Sequence, residues 1–409
     1  MDVTLDDIRA ARERIASAIY RSPCPYSHSL SRLCGAEVFC KLDHLQMTGS
    51  FKERGARNKL LRLSADDRRR GVVAASAGNH ALGLAYHGQL LGIPVTVVMP
   101  KWAPLVKVAN CRGFGAEIVQ LGDTYDDAKA HALTLAKDTG RPYIPGFDDP
   151  DIIAGQGTIG LEILEDVPDV DAVVVPIGGG GLIAGVGRAL KALRPQVRVI
   201  GVEPANAASY AAALAAGNPV RFVCQPTLAD GLAVAEVGAL CLRIAREVVD
   251  DLVVVDEAEI ARAVLRLLEL EKMVVEGAGA VPLAAALHRE LGLAGKKVVL
   301  LLCGGNIDVT VIARVIERGL AADGRLCRIV ASLSDRPGSL VKLLSRIAEH
   351  GGSVKEVMHD RNFGPADVAR VTVACVVETR DAAHIAEIVA AVQGAGIGCR
   401  VEAAGSAGA

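Results

Sequence analysis

Four short stretches of this 409-residue chain combine residue types that could do chemistry. In the first, an apolar run of Val173, Val174, Val175, Pro176 and Ile177 opens through Gly178, Gly179, Gly180 and Gly181 onto a helix-like stretch that begins at Leu182. A strand that passes through four glycines to a helix start exposes several backbone N–H groups with no Cβ in the way, and the positive end of the helix dipole adds to them. Such a turn is a cradle for a phosphate or another anion. The same residues carry a second reading. Gly179, Gly181 and Ala184 satisfy G-x-G-x-x-A, and Glu203 ends the next apolar run about twenty residues on, the spacing of a dinucleotide fingerprint whose acid takes the ribose.

Two further loops follow apolar runs: Ser76, Ala77, Gly78, Asn79 and His80 after residues 72–75, and Cys303, Gly304, Gly305 and Asn306 after residues 298–302. Both sit at the carboxyl ends of expected parallel strands, where ligands of open α/β sheets bind. Each offers small residues, free amides and one polar side chain. His80 reads either as a general base or as a packed donor at a helix start. Cys303 reads either as a nucleophile or as a buried structural thiol. The fourth stretch is Gly49, Ser50, Phe51, Lys52, Glu53, Arg54 and Gly55. Ser50 is placed to cap the helix that follows and so to hold Lys52 in its first turn. The helix dipole and Arg54 would then depress the lysine's pKa towards nucleophilic behaviour.

These stretches need an alternating α/β framework to position them. Between residues 70 and 310, uninterrupted apolar runs at 72–75, 95–99, 118–121, 172–177, 197–202 and 298–302 alternate with helical stretches at 81–91, 104–112, 125–139 and 182–193. Runs of this kind mark strands covered on both faces, and the alternation predicts parallel βαβ units. The balance of 45 Lys+Arg against 47 Asp+Glu argues against nucleic acid as a partner. A 51% hydrophobic, 22% charged composition is that of a folded globular protein. The first residues carry acids and no apolar core of a secretory signal, no stretch is long enough to span a membrane, and ten cysteines lack a CxxC pair. A cytoplasmic protein with reduced thiols is expected.

The last eighty residues change character. A strand at 327–334 leads through Asp335, Arg336, Pro337 and Gly338 to a helix with Leu340, Leu343, Leu344 and Ile347 on one stripe. Strands at 354–358 and 368–377 follow, the second with Val371, Val373, Cys375 and Val377 at period two. A helix with Ile385, Ile388, Val389 and Val392 and a strand at 398–402 complete the order β-α-β-β-α-β of the ferredoxin-like split unit. Residues 317–325, with Gly319, Asp323 and Gly324, read as a linker.

Taken together, Ser50-Phe51-Lys52-x-Arg54-Gly55-Ala56, the loop 76–80, the glycine run 178–182 and Cys303-Gly304-Gly305-Asn306 resemble the threonine/serine dehydratase family of pyridoxal-phosphate enzymes. Residues 150–162 (PDIIAGQGTIGLE) are similar to the family as well, so the likeness spans roughly residues 5–320. The segment from Asp335 to Leu340 in its β-α-β-β-α-β setting resembles an ACT module, an amino-acid-sensing domain. The resemblance implies a tryptophan-synthase-β-like fold (fold type II), with a catalytic domain over 1–318, a smaller subdomain at about 50–145 inserted in it, and an ACT domain over 327–403.

It also implies roles. Lys52 would form the Schiff base with the cofactor and then move the substrate's α-proton. Gly178, Gly179, Gly180, Gly181 and Leu182 would hold the cofactor phosphate, and Asn79 the ring hydroxyl. The amides of Ser76, Ala77, Gly78, Asn79 and His80 would grip the substrate carboxylate. Cys303 would face the pyridine nitrogen as a neutral thiol, an uncharged partner that favours prompt β-elimination over transamination. The implied reaction deaminates L-threonine, or L-serine, to a 2-oxo acid and ammonia as a step of isoleucine biosynthesis. Isoleucine or valine would act as effector near Asp335, Gly338 and Leu340, in a homodimer or homotetramer. Serine racemases of this fold carry a hydroxyl where this chain has Ala77, which favours dehydratase over racemase. Glu203 is the one metal candidate: it matches a metal-ligating glutamate of some relatives, but Ser209 stands where they supply another carboxylate, so a divalent site is not expected and Glu203 would serve a monovalent ion or the fold.

Overall fold

The apolar runs become strands, and all but the one at 118–121, which stays partly exposed as an outer strand of its sheet, bury their apolar side chains on both faces. In the computed structural model, which describes residues 2–103, 105–361, 367 and 369–402, every residue of β2 (Val72–Ala75), β3 (Val95–Met99) and β5 (Ala172–Pro176) is buried. Each fully buried valine contributes about 1.5–3 kcal/mol of transfer free energy. The chain divides into two units, Met1–Ile307 and Asp308–Ala409.

The first unit holds two parallel sheets. One is three-stranded, β2-β3-β4, with β4 at Glu117–Gln120. The other is five-stranded in the order β1-β8-β5-β6-β7. Its remaining strands are β1 at Glu37–Lys41, β6 at Arg198–Pro204, β7 at Asp251–Val255 and β8 at Lys297–Leu301. Register is set by pairs such as Val38↔Val298, Val173↔Val199 and Gly201↔Leu252. The sequence reading missed β1 and β7. The helices fall largely where the periodicity places them. Tyr125–Thr139 starts with a reciprocal capping box between Thr124 and Asp127. Pro150–Asp166 starts with Asp149 as cap and proline in its first turn. The helix expected over 104–112 runs Leu105–Gly113, and Pro104 lies outside the described residues. Among the described residues no helix is long and apolar enough to cross a membrane.

The topology brings three strand ends together. The loops after β2, β5 and β8 carry the three glycine-bearing stretches, and an antiparallel bridge between Ser50 and Gly304 ties the Lys52 segment to the third of them.

The second unit is an antiparallel sheet ordered β10-β11-β9-β12, with β9 at Leu326–Ser334, β10 at Ser353–Asp360, β11 at Arg370–Glu378 and β12 at Gly398–Glu402. The helices Ser339–Glu349 and Ala382–Gly394 supply Leu343, Ile347, Ile388 and Val392 to its core, against Val371, Val373, Cys375 and Val377. The strand expected from residue 368 is described from Arg370, and Val368 lies outside the described residues. Residues 317–325 are not a linker. Through Ala322 they belong to the helix Val309–Ala322, which packs on β9; Asp323 then bonds back to the Gly319 carbonyl and Gly324 turns at φ +70°. Ile312, Val315, Ile316 and Leu320 recur at helical spacing along the helix that runs into the segment, and that pattern overrides its glycines.

Candidate active site

Lys52 opens the helix Lys52–Arg62, but Ser50 does not cap it. Phe51 occupies the cap position, and its N–H donates to the Cys303 carbonyl at 3.0 Å. The bridge to Gly304 fixes Ser50 one residue too early, so its hydroxyl is buried without a partner. The Lys52 side chain lies 5.2 Å from the Phe51 ring centroid, and its Nζ donates to the Gly146 carbonyl at 2.8 Å. Burial lowers its pKa to about 8, against opposing pulls from Cys303, Cys241 and Glu276. The low pKa expected of this lysine is therefore present with a different cause. Arg54 is turned away, held by Asp43 (2.8 and 2.9 Å) and Glu162 (2.6 and 2.9 Å).

Lys52 lines a cleft of about 980 Å³ together with Asn79, Gly179, Glu276 and Cys303. That is the upper end of the size of small-molecule sites, about 300–1,000 Å³. The loop after β5 contributes its glycines to the lining, and its close approaches explain why they are glycines. A Cβ on Gly179 would lie 2.5 Å from Phe147 Cδ2 and closer still to two other ring carbons. One on Gly181 would lie 2.9 Å from the Phe147 carbonyl, and one on Gly180, which sits at φ +93°, 2.9 Å from Cys241 Cβ. A bare loop at the start of the helix Gly181–Leu193 fits a phosphate group.

The loop after β2 also reaches the cleft. Ser76 Oγ accepts the Gly78 N–H at 3.2 Å, while Asn79 and His80 already stand in the first turn of the helix Asn79–Leu91. His80 takes the quieter of its two roles. It is buried with Nε2 3.1 Å from the Ile144 carbonyl, and burial, with Lys52 nearby, pushes its pKa down to about 3. Cys303 is a neutral thiol: burial holds its pKa well above the ordinary range, and its Sγ donates to the Ala278 carbonyl at 3.6 Å. All ten cysteines are free.

Glu203 is engaged elsewhere. Its two oxygens accept the N–H groups of Tyr210 (2.7 Å) and Ala211 (2.9 Å) at the start of the helix Ser209–Ala216, and burial raises its pKa to about 7. A carboxylate so committed, and fully buried, is not presented to a ribose, which removes the acid that the dinucleotide reading requires. Among the described residues no group of three or more His, Cys, Asp or Glu is placed to hold a metal. In the second unit, Asp335 pairs with Arg361 at 3.1 Å, Gly338 starts the helix Ser339–Glu349 at φ +91°, and Leu340 is partly buried against the core.

The sequence reading missed Phe147, which covers the glycine loop, and Glu276, fully enclosed at the cleft wall. Glu276 had a visible signal: it is the one charged residue between Met273 and His288. A lone acid in an apolar run is costly to bury unless partners hold it.

Comparison with known proteins agrees with this geometry. Residues 15–304 match the model of the family described as pyridoxal-phosphate dependent enzyme. Over 386 residues the chain is 47% identical to the L-threonine ammonia-lyase of Thermotoga maritima, covering 94% of this chain and 96% of that one. Two solved structures superpose with a TM-score of 0.74. The processed form of threonine deaminase isoform 2 from Solanum lycopersicum is 38% identical and covers 77% of this chain and 92% of its own, and maize serine racemase is 36% identical and covers 78% and 98%. The bare glycine cradle, the buried low-pKa lysine and the neutral thiol all fit pyridoxal phosphate as the cofactor, and the chain belongs to the family of pyridoxal-phosphate dependent enzymes.

Proposed function

We propose that the chain is a threonine ammonia-lyase, which deaminates L-threonine by β-elimination to 2-oxobutanoate and ammonia. The observation that carries the reading is the meeting of Lys52, the glycine cradle, Asn79 and Cys303 in one cleft. Threonine as substrate is supported by the likeness to the T. maritima enzyme, which extends through both units. Bound pyridoxal phosphate would supply the electron sink that makes the α-proton labile.

The residues would then work as follows. The amides of Gly178, Gly179, Gly180, Gly181 and Leu182 hold the phosphate, Asn79 donates to the ring hydroxyl, and Cys303 faces the ring nitrogen without charging it. The amides of Ser76, Ala77, Gly78, Asn79 and His80 bind the substrate carboxylate. Lys52, with a pKa of about 8, releases and accepts a proton near neutral pH and moves the α-proton. Ala77 puts no hydroxyl on the opposite face, which supports lyase over racemase chemistry.

The test is the visible spectrum of the protein before and after L-threonine, with 2-oxo acid measured in parallel. A band that shifts as 2-oxobutanoate accumulates supports the reading. A band with D-serine formed from L-serine, and no 2-oxo acid, would replace it with a racemase.

The proposal extends to the whole chain: a catalytic domain within 1–318, with its smaller subdomain at about 50–145, and an ACT domain within 327–403. The β-α-β-β-α-β order of the second unit supports the latter. Isoleucine or valine binding near Asp335, Gly338 and Leu340 would then regulate a cytoplasmic homodimer or homotetramer at the entry to isoleucine biosynthesis. Isothermal titration with no heat from either amino acid would leave the second unit a structural module.

A further inference from the structure

We infer that Glu276 is the positioning residue for Asn79, fixing which end of that amide the cofactor meets. The inference deepens the function proposed above and rests on its placing of Asn79 at the ring hydroxyl.

A single hydrogen-bonded chain sets the orientation. The Thr48 carbonyl can only accept, so Asn306 turns its Nδ2 towards it at 2.6 Å. The second proton of the same Nδ2 goes to Asn79 Oδ1 at 2.9 Å. Asn79 must therefore present Nδ2 on its other side, where Glu276 Oε1 accepts it at 2.8 Å. One N–H of Asn79 is consumed by Glu276, and the other is left for the cleft that both residues line. With the carboxylate removed, only Asn306 would resist a flip that would put Oδ1 against the ring oxygen.

Glu276 is itself held rigidly. Its N–H donates to the Gly304 carbonyl at 3.1 Å, the Asn306 backbone hydrogen-bonds its side chain, and a Cβ on Gly304 would run into the carboxyl, 2.8 Å from Cδ. Gly304 is therefore a glycine that makes room for this acid. The charged and titratable groups facing it are Asp230 and Lys107, themselves paired at 3.1 Å, with Lys52 and Cys303 lining the same cleft. Burial raises the carboxyl's pKa to about 7, with Asp230 adding to the rise and Asn79, Lys107 and the Asn306 backbone opposing it. Below that pH the acid is neutral and holds Asn79 weakly; above it the carboxylate holds Asn79 by a charge-assisted bond.

The readout is the visible absorbance of the pyridoxal-phosphate-loaded protein, without substrate, titrated from pH 6 to pH 8. Wild type should show a step centred near pH 7. Glu276→Gln, which keeps the shape and a carbonyl acceptor, should lose the step. Asp230→Asn should move the step to lower pH, because it removes a like charge. Glu276→Ala should bind pyridoxal phosphate about tenfold or more weakly in equilibrium dialysis, the size of a lost charge-assisted hydrogen bond. A wild-type band without a step, which needs no variant to fold, overturns the inference and leaves the lyase reading standing. So does a step that survives unchanged in Glu276→Gln. Absence of any band after loading overturns both.

Discussion

Replacing Gly179 by alanine tests whether the Phe147 ring, packed on the bare loop after β5, keeps the amides that would bind the cofactor phosphate in place. The added Cβ would lie 2.5 Å from Phe147 Cδ2, whereas ordinary Cβ contacts begin at 3.4 Å, so the ring or the loop must yield by roughly 1 Å. Overpacking of this kind costs about 1–3 kcal/mol. If the strain is borne by the phosphate-binding amides, affinity for pyridoxal phosphate falls by about 5- to 150-fold, at tenfold per 1.4 kcal/mol. Equilibrium dialysis of the apoprotein measures this directly. Phe147→Ala supplies the second arm of a double-mutant cycle, because it removes the ring that the new methyl strikes. In that background the Gly179→Ala penalty should shrink to about twofold or less, the usual error of additivity. Gly179→Ala binding within twofold of wild type would refute the reasoning. So would a penalty that is the same with and without the Phe147 ring.

Lys52→Ala should lose both the visible band and turnover, and turnover retained in that variant would remove the lysine from the reaction. Because burial disfavours the Lys52 ammonium, the neutral amine prevails above pH 8. The rate at which apoprotein gains its band on mixing with pyridoxal phosphate should therefore rise with pH and reach half its maximum near 8; a midpoint at 10 or above would contradict the burial argument. Arg54→Ala takes the guanidinium from buried Asp43, leaves Glu162 to Lys41 alone, and should cost about 3–5 kcal/mol in urea unfolding. Burial alone would raise the Asp43 carboxyl, but Arg54, Ser22 and Lys41 together hold it below the ordinary range. Its stabilisation is therefore present above the unfolded carboxylate pKa and is lost as pH falls through the lowered one, so Arg54→Ala should also unfold at a higher pH on acidification; an unchanged acid midpoint would count against the pairing. In the second unit, Ile388→Ala empties a fully buried position and should cost about 2–5 kcal/mol, read from amide exchange in β9 and β11, with a loss under about 1 kcal/mol as the contrary result.

How much of this was legible depended on whether the deciding interaction is local. The bare loop between β5 and the helix Gly181–Leu193 could be placed directly, because four glycines between an apolar run and a helical stretch mark the turn from strand to helix. Val371, Val373, Cys375 and Val377 announced a half-buried strand by alternation alone, and all four are buried. β1 was invisible: Glu37, Val38, Phe39, Cys40 and Lys41 are short and mixed, and they become a strand by pairing with β8, some 260 residues later. Ser50 stands where a capping serine would stand, yet the distant Gly304 claims its backbone first. Residues 317–325 carried the glycines and aspartate of a linker over a helical stripe of Ile312, Val315, Ile316 and Leu320, and composition was the weaker of the two signals. Glu276 was an anomaly in plain sight, but its meaning needs Asn79 and Asn306 beside it, which only the folded chain provides.

The helix that carries Lys52 shows how a fold can keep a lysine reactive among many charges. Glu53, Arg54 and Arg57 follow Lys52 within five residues and all are buried, so in sequence the lysine stands in a crowd. In space each neighbour is occupied away from it. Glu53 takes the Thr48 N–H and His87 Nε2, Arg54 is clamped by Asp43 and Glu162, and Arg57 reaches Ser17 and His87. Lys41 closes the outer side of the network on Glu162 at 2.8 Å and Asp166 at 3.1 Å. Lys52 meets a carbonyl where its neighbours meet ions, so desolvation has no strong counter-charge to overcome and its pKa falls. A carboxylate placed against Nζ would have done the opposite: it would have stabilised the ammonium and left the amine protonated at neutral pH. The buried ion pairs therefore keep Asp43 and Glu162 off the Lys52 amine, the proton carrier of the proposed reaction.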